Sequence, residues 1–209
     1  TVNAANPNKH AGMIYASNLC HEIAQNVGFT NLAEEIINED GTITTKTNTG
    51  DMVTCNLNSI SLGRITNEEL EENIALQIRM LDNVISINQA PVPESRMTSD
   101  KYRAIGLGTS GYHHYLVNHN IQWESDEHIE AADKLFENIA YYSIKASMEL
   151  AKEKGAYPAF KGSEWETGEY FTRRGYTSDR WKQLAADVAK YGIRNGYLMA
   201  VAPTGSTSN

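Results

Sequence analysis

The sequence predicts an α/β fold, rich in helix, with parallel strands. Long segments repeat their apolar residues at helical spacing, short apolar runs stand between them, and no internal repeat or linker-like stretch interrupts the chain. With 209 residues, 41% hydrophobic and 21% charged, it can bury roughly 70% of its unfolded surface around one core. We expect a single unit over residues 1–209.

The elements follow in order. Residues 1–12 are rich in Asn, carry Pro7 and Gly12, and read as an irregular entry segment. Met13 to Val27 is mixed in pattern. Residues 38–51, NEDGTITTKTNTGD, read as polar turns with room for a small hairpin. Met52 to Leu62 alternates as a strand does, with Val53, Cys55 and Leu57 on one face. Thr66 then opens a helix as N-cap, and Glu69 completes a capping box. Its apolar stripe is Leu70, Ile74, Ile78, Leu81 and Ile85, and it must stop before Pro91 and Pro93.

A second helix is expected from about Ser125 to Lys154, burying Ile129, Ala132, Phe136, Ile139, Ser143 and Leu150, with Gly155 just past its end. Residues 155–177 hold Gly, Pro and aromatics without a period and read as a long ordered loop. Ser178 caps a third helix that runs to Tyr191 and stops at Gly192. Tyr197 to Ala202, YLMAVA, is a short continuous apolar run, the pattern of a strand covered on both faces.

Charge and composition exclude several classes of function. A net charge of -8 repels phosphate backbones and anionic lipid, so neither nucleic acid nor membrane is an expected partner. No apolar run approaches 18 residues. Two cysteines make no disulfide framework, and a reducing, cytoplasmic setting fits them best. The opening TVNAANPNKH is no targeting segment, and the close APTGSTSN reads as a loop still being built. A piece of something longer is therefore expected.

Three features could carry chemistry. Asn18-Leu19-Cys20-His21-Glu22, if extended, sends Asn18, Cys20 and Glu22 to one side, presenting an amide, a thiol and a carboxylate at steps of about 7 Å. Taken alone, the more ordinary reading is a small buried Cys beside two surface polar residues. Cys55 is the sole other thiol, and alone it too reads as a core residue. Pro203-Thr204-Gly205-Ser206-Thr207-Ser208-Asn209, leaving the carboxyl end of an apolar strand, offers backbone N–H groups and hydroxyls to a phosphate; an ordinary Ser/Thr-rich turn is as good a description.

SNLCHEI, TCNLNSISLG, IGLGTSG, KEKGAYP and KYGIRNGYLMAVAPTGSTS, in that order and spacing, resemble the large, catalytic subunit of ribonucleotide reductase over nearly the whole chain. The resemblance implies part of a ten-stranded α/β barrel, with residues 13–27 as its central finger loop and 203–209 as a phosphate loop. It implies that Cys20 is the thiyl radical that abstracts the 3′ hydrogen of a ribonucleotide, that Glu22 takes the 3′-hydroxyl proton, and that Asn18 hydrogen-bonds the substrate. Cys55 would be one member of a redox pair, and Gly205, Ser206 and Thr207 would cradle the substrate diphosphate.

The implied partners are a ribonucleoside diphosphate, the rest of the large subunit, a radical-generating small subunit that holds the metal, and thioredoxin or glutaredoxin as reductant. No cofactor or metal is expected in this chain itself. The second redox cysteine, the carboxyl-terminal cysteine pair and the amino-terminal regulatory region of the family are absent here, so a fragment that is inactive alone is expected. Cys20 and Cys55 should not pair with each other. His21 receives no role. The cobalamin-dependent type shares the N-x-C-x-E core and stays open as an alternative.

Other readings compete. Gly106-Leu107-Gly108-Thr109-Ser110-Gly111 satisfies G-x-G-x-x-G, which would make a Rossmann-type NAD-binding oxidoreductase. SDKYRAI before it is no apolar strand, and the acidic residue about 20 further on, Glu130, falls inside a helix. The glycines read as a close helix-packing site. His113, His114 and His119 suggest a metal site, but adjacent helical histidines point about 100° apart and no Cys or carboxylate joins them at zinc spacing. A non-catalytic interaction domain would make no use of the Asn18, Cys20, Glu22 pattern.

Overall fold

Thr66 and Glu69 bond reciprocally at the start of the first long helix in the computed structural model, which describes residues 2–205. The Thr66 N–H donates to Glu69 Oε2 at 3.0 Å, and the Glu69 N–H donates to Thr66 Oγ1 at 3.4 Å. Helix α1 (Leu70–Ile87) follows, and all five residues of the predicted stripe are buried along it. Helix α4 (Asp126–Lys154) starts as expected, with Ser125 Oγ accepting the His128 N–H at 3.1 Å, and ends at Gly155, whose φ of 83° suits a residue without Cβ.

Only part of the predicted face of α4 is covered. Ion pairs Glu71–Lys145 and Arg79–Glu153 lay α1 along the C-terminal part of α4, where Ser143, Ile144, Ser147 and Leu150 are buried. Among the described residues no ion pair to α1 reaches its first turns, where Trp123 and Tyr112 pack on the His128 side, and Ile129 is 65% exposed and Phe136 39% exposed. A repeat pattern reports which face is apolar, not how far a neighbour reaches along it.

Pro91 and Pro93 end α1, and Pro93 also opens a helix that the sequence reading lacks. In α2 (Pro93–Tyr102) Pro sits in the first turn, where its missing N–H costs nothing. Its buried residues are Ser95, Thr98 and Tyr102, too polar a set to show as an apolar stripe.

GLGTS is a strand, which corrects the helix-packing reading. β4 (Gly106–Ser110), which leads into α3 (Tyr112–Asn118), pairs in parallel with β3 (Leu57–Ser61), from Leu57 opposite Gly106 to Ser61 opposite Ser110. The glycines allow a third lane to approach. A Cβ on Gly106 would lie 2.8 Å from Ala200 Cβ, and one on Gly108 would lie 2.3 Å from Ala200 O.

That lane is the segment 197–200. Tyr197 O accepts from Ile105 N at 3.0 Å, Leu198 O from Leu107 N at 2.8 Å, and Ala200 N donates to Leu107 O at 3.1 Å. It forms one parallel bridge rather than the expected strand. It is covered on one face only: Leu198 and Ala200 are buried while Met199 and Val201 are exposed. The expected strand over 52–62 shortens to β3 in the same way, because its first half bonds to side chains of α2.

Residues 155–177 are not a loop. Pro158–Phe160 forms a 3-10 turn, followed by α5 (Glu164–Thr167) and α6 (Glu169–Arg173), with Trp165, Tyr170 and Phe171 in the core. α7 (Asp179–Tyr191) ends at Gly192 as predicted, although the Ser178 side chain makes no capping bond. The hairpin lies earlier than expected: β1 (Asn31–Ile37) pairs antiparallel with β2 (Ile43–Asn48), and both strands are exposed throughout. The whole is mixed α/β and helix-rich. Among the described residues the two sheets are two-stranded, with no closed barrel.

A buried charge cluster ties the helices together. Asp82 of α1, wholly inaccessible, accepts from Arg103 Nε at 2.7 Å, Arg194 Nε at 3.2 Å and Asn195 Nδ2 at 3.3 Å. Asn195 also exchanges bonds with Ser147 of α4. Burial alone would push the Asp82 carboxyl up. The hydrogen bond and charge of Arg103, then of Arg194, outweigh that and hold it below its ordinary value.

Candidate active site

The Asn-rich entry segment anchors the finger. Asn26 Oδ1 accepts from Asn6 Nδ2 at 2.7 Å, and Asn26 Nδ2 donates to Asn8 O at 2.9 Å. Asn8 in turn accepts from Tyr157 Oη at 2.6 Å and donates to Gly196 O at 2.9 Å. Asn6, Asn8 and Asn26 are all buried. Burying three amides is tolerable only because each finds partners. The Val27 N–H donates to Met13 O at 3.0 Å and closes the loop on itself, so residues 13–27 leave and return at one place.

The tip of the finger is a turn, not an extended run. His21 N donates to Asn18 O at 3.1 Å and His21 takes φ 65°, the left-handed region, while Leu19 at the apex is 93% exposed. Alternation therefore does not hold across Asn18 to Glu22. The turn brings the amide and carboxylate together instead: Asn18 Nδ2 donates to Glu22 Oε1 at 2.6 Å, and Asn18 Oδ1 accepts the Ile23 N–H at 3.0 Å. Glu22 Oε2 is buried and accepts no bond among the described residues.

Cys55 arrives at this turn from the other side. Residues 51–56 run without regular structure along α2, where Met52 N donates to Thr98 Oγ1 at 2.8 Å and Thr54 Oγ1 bonds Ser99 Oγ at 3.0 Å. Asn18 Nδ2 approaches Cys55 Sγ at 3.7 Å. Burial pushes the Cys55 thiol above its ordinary value, the Glu22 carboxylate raises it further, and the Asn18 bond offsets part of the rise. Both thiols are free.

Cys20, His21 and Glu22 line a cleft of about 610 Å³ together with Gly108 of β4, Phe136 of α4 and Tyr176. Met199, Ala200 and Val201 line it too, so the chain toward Pro203 leaves from the cleft wall. Thr204 has φ 50°. Ser206 and Thr207 lie outside the described residues. A thiol and a carboxylate, Cys20 and Glu22, thus line the cleft, while Asn18 links Glu22 to the second thiol, Cys55, in an adjoining cavity; together the set is able to bind a hydroxylated ligand, move a proton and exchange electrons.

Over residues 1–209 the sequence matches the family described as ribonucleotide reductase, barrel domain. The chain belongs to the ribonucleotide reductase family. It is similar to proteins named ribonucleoside-diphosphate reductase subunit alpha. The one from Treponema pallidum is 53% identical over 212 residues, covering 99% of this chain and 25% of that protein. That of Helicobacter pylori is 37% identical, covering 99% and 32%, and that of Synechocystis is 35% identical, covering 100% and 25%. The chain therefore spans between a quarter and a third of the length of these relatives. Membership in this family removes the Rossmann reading of Gly106 to Gly111.

In this chain of the ribonucleotide reductase family the residues that sequence reasoning leaves out are those that wall the candidate site. Nothing in a linear pattern marks Phe136 and Tyr176 as cleft walls. The density of Asn in residues 1–12 is a usable signal, since so many amides in one segment need partners when they are buried. Two of the histidines raised as metal ligands are spent on packing. His119 Nδ1 lies 2.8 Å from Tyr115 O, and the His114 ring fills the space where a Cβ on Gly63 would stand. Among the described residues no three His, Cys, Asp or Glu side chains group as metal ligands, and no helix is long and apolar enough to cross a membrane.

Proposed function

We propose that this chain carries the thiol site of a reductase that converts ribonucleoside diphosphates to deoxyribonucleotides. The observation that carries the reading is the meeting of Asn18 with both Glu22 and Cys55, across 37 residues of sequence, beside the Cys20 turn. Cys20, as a thiyl radical, takes the 3′ hydrogen and becomes a thiol. Glu22, whose second oxygen has no partner among the described residues, takes the 3′-hydroxyl proton as the 2′ hydroxyl, protonated by a thiol, leaves as water, and gives the proton back to the 3′ oxygen once the sugar is reduced. Cys55 and a second thiol, not in this chain, supply two electrons and two protons and close to a disulfide. Cys20 then returns the hydrogen to the 3′ carbon and is again a radical.

Asn18 orients both the carboxylate and the substrate, and Pro203, Thr204, Gly205, Ser206 and Thr207 receive the diphosphate. The rest of the large subunit, a separate small subunit as radical source, and thioredoxin or glutaredoxin complete the reaction. The name "subunit alpha" borne by the relatives favours that arrangement over the cobalamin-dependent one.

The test is Cys20→Ser in the intact large subunit, which keeps the shape but removes the weak S–H bond. Deoxynucleotide formation should fall to background while substrate binding persists. Measurable turnover by the variant would overturn the assignment.

A further inference from the structure

Two segments carry the site, the finger (13–27) and the strap (51–56), and they are tied at two places. At the working end the tie is the 3.7 Å contact from Asn18 Nδ2 to Cys55 Sγ. At the root, Gly28 N donates to Asp51 Oδ2 at 2.9 Å and Asp51 N donates to Gly28 O at 3.0 Å. The approach is so close that a Cβ on Gly50 would lie 2.1 Å from Gly28 O. The other oxygen of the Asp51 carboxylate accepts from Lys101 Nζ of α2 at 3.1 Å.

We infer that Asp51 is a positioning residue that sets how far Cys55 stands from the Cys20 turn. Between the two ties, finger and strap enclose a cavity of about 160 Å³ lined by Asn18, Ile23, Val27, Val53 and Cys55, so tight packing does not set their separation. The N–H···S contact is long and weak. The two bonds of the Asp51 carboxylate are charge-assisted, and they hold the geometry. The other side-chain bonds of the strap, at Met52, Thr54 and Asn56, go to Thr98 and Ser99 of α2 and to Ala104 just beyond it, without touching the finger. Asp51 reaches both. It transfers the register of the strap on α2 to the root of the finger, four residues before Cys55. Beyond this root the chain makes its exposed hairpin, which plays no part in the tie.

This deepens the proposed function, yet its test reads thiol reactivity rather than turnover, so the two can fail separately. In the intact subunit, iodoacetamide labelling of Cys20 and Cys55 is followed by peptide-resolved mass spectrometry. Asp51→Ala should speed labelling of Cys55 by about tenfold as the strap lifts away from Asn18 and Glu22, and leave Cys20 within about twofold. Asp51→Glu should recover most of the difference, and replacing residues 32–47 by a short Gly-Ser turn should change neither thiol. Unchanged Cys55 labelling in Asp51→Ala, or an equal change on shortening the hairpin, would overturn the inference. If Asp51→Ala speeds both thiols alike, as a loosened fold would, Lys101→Met decides. Faster labelling of Cys55 alone supports the inference, and any other result refutes it.

Discussion

The polar clusters around Asp82 and around Asn18 are built to opposite rules. Around Asp82 every charge is answered: Arg103, Arg194 and Asn195 converge on one carboxylate, with Lys154 at 3.6 Å. Around Asn18 the bonding is incomplete. Glu22 Oε2 accepts nothing among the described residues, and the second contact of the Asn18 amide nitrogen is a long one to sulfur. The first cluster joins α1, α4 and the turn after α7, and leaves no valence for a ligand. The second is held from outside, by the Asn6, Asn8 and Asn26 network, and keeps capacity in reserve. Saturation marks a scaffold, and reserve marks a site.

The contrast can be broken by substitution. Asp82→Ala leaves the buried Arg103 and the half-buried Arg194 without their carboxylate and should cost about 3–5 kcal/mol, lowering the melting temperature by on the order of 10 °C in calorimetry. The effect also has a pH signature. Because the folded-state value of Asp82 lies below the ordinary 3.8, its contribution is present above that value and is lost as pH falls through the lowered one. Acid titration of the melting temperature should show a drop below about pH 4 that Asp82→Asn abolishes. A variant as stable as the parent would mean the cluster is not the scaffold described above.

Gly108→Ala should act at an intermediate level. Its Cβ would press on Ala200 O, a backbone atom with little room to yield, so the lane at 197–200 must shift, at a cost of about 1–3 kcal/mol. Urea unfolding measures it. Glu22→Gln should do least to stability, under about 1 kcal/mol, because nothing depends on the unused oxygen. It should nevertheless lower the titration midpoint of Cys55, by removing a nearby negative charge, and speed its alkylation at pH 8 by about twofold. A rise in that midpoint would show that Glu22 does not face the thiol.

Legibility in the sequence followed the same division. The stripe from Leu70 to Ile85, the Thr66 capping box and the stops at Gly155 and Gly192 were readable because each depends on neighbours three or four residues away. α2 was hidden by its polar buried side. β4 was hidden because glycines that make room for a strand look like glycines that make room for a helix. N-x-C-x-E marks the turn that carries the candidate site, but alternation does not describe its geometry, since His21 in the left-handed region turns the chain. That Asn18 meets Cys55 depends on the fold of everything between. KYGIRN drew notice as a family pattern, and in the fold Arg194 and Asn195 serve the Asp82 cluster rather than the cleft.

The pinch between Gly28 and Asp51 also bears on how this chain can vary. Once its ends are joined, the intervening loop is closed locally, and doubling its length adds only about 0.6 kcal/mol of closure entropy. Residues added or lost around Asn38 to Thr42 are therefore felt by neither thiol. The hairpin is a place where chain length can drift between relatives, and where a fluorophore or an epitope can be inserted without disturbing the chemistry beneath it.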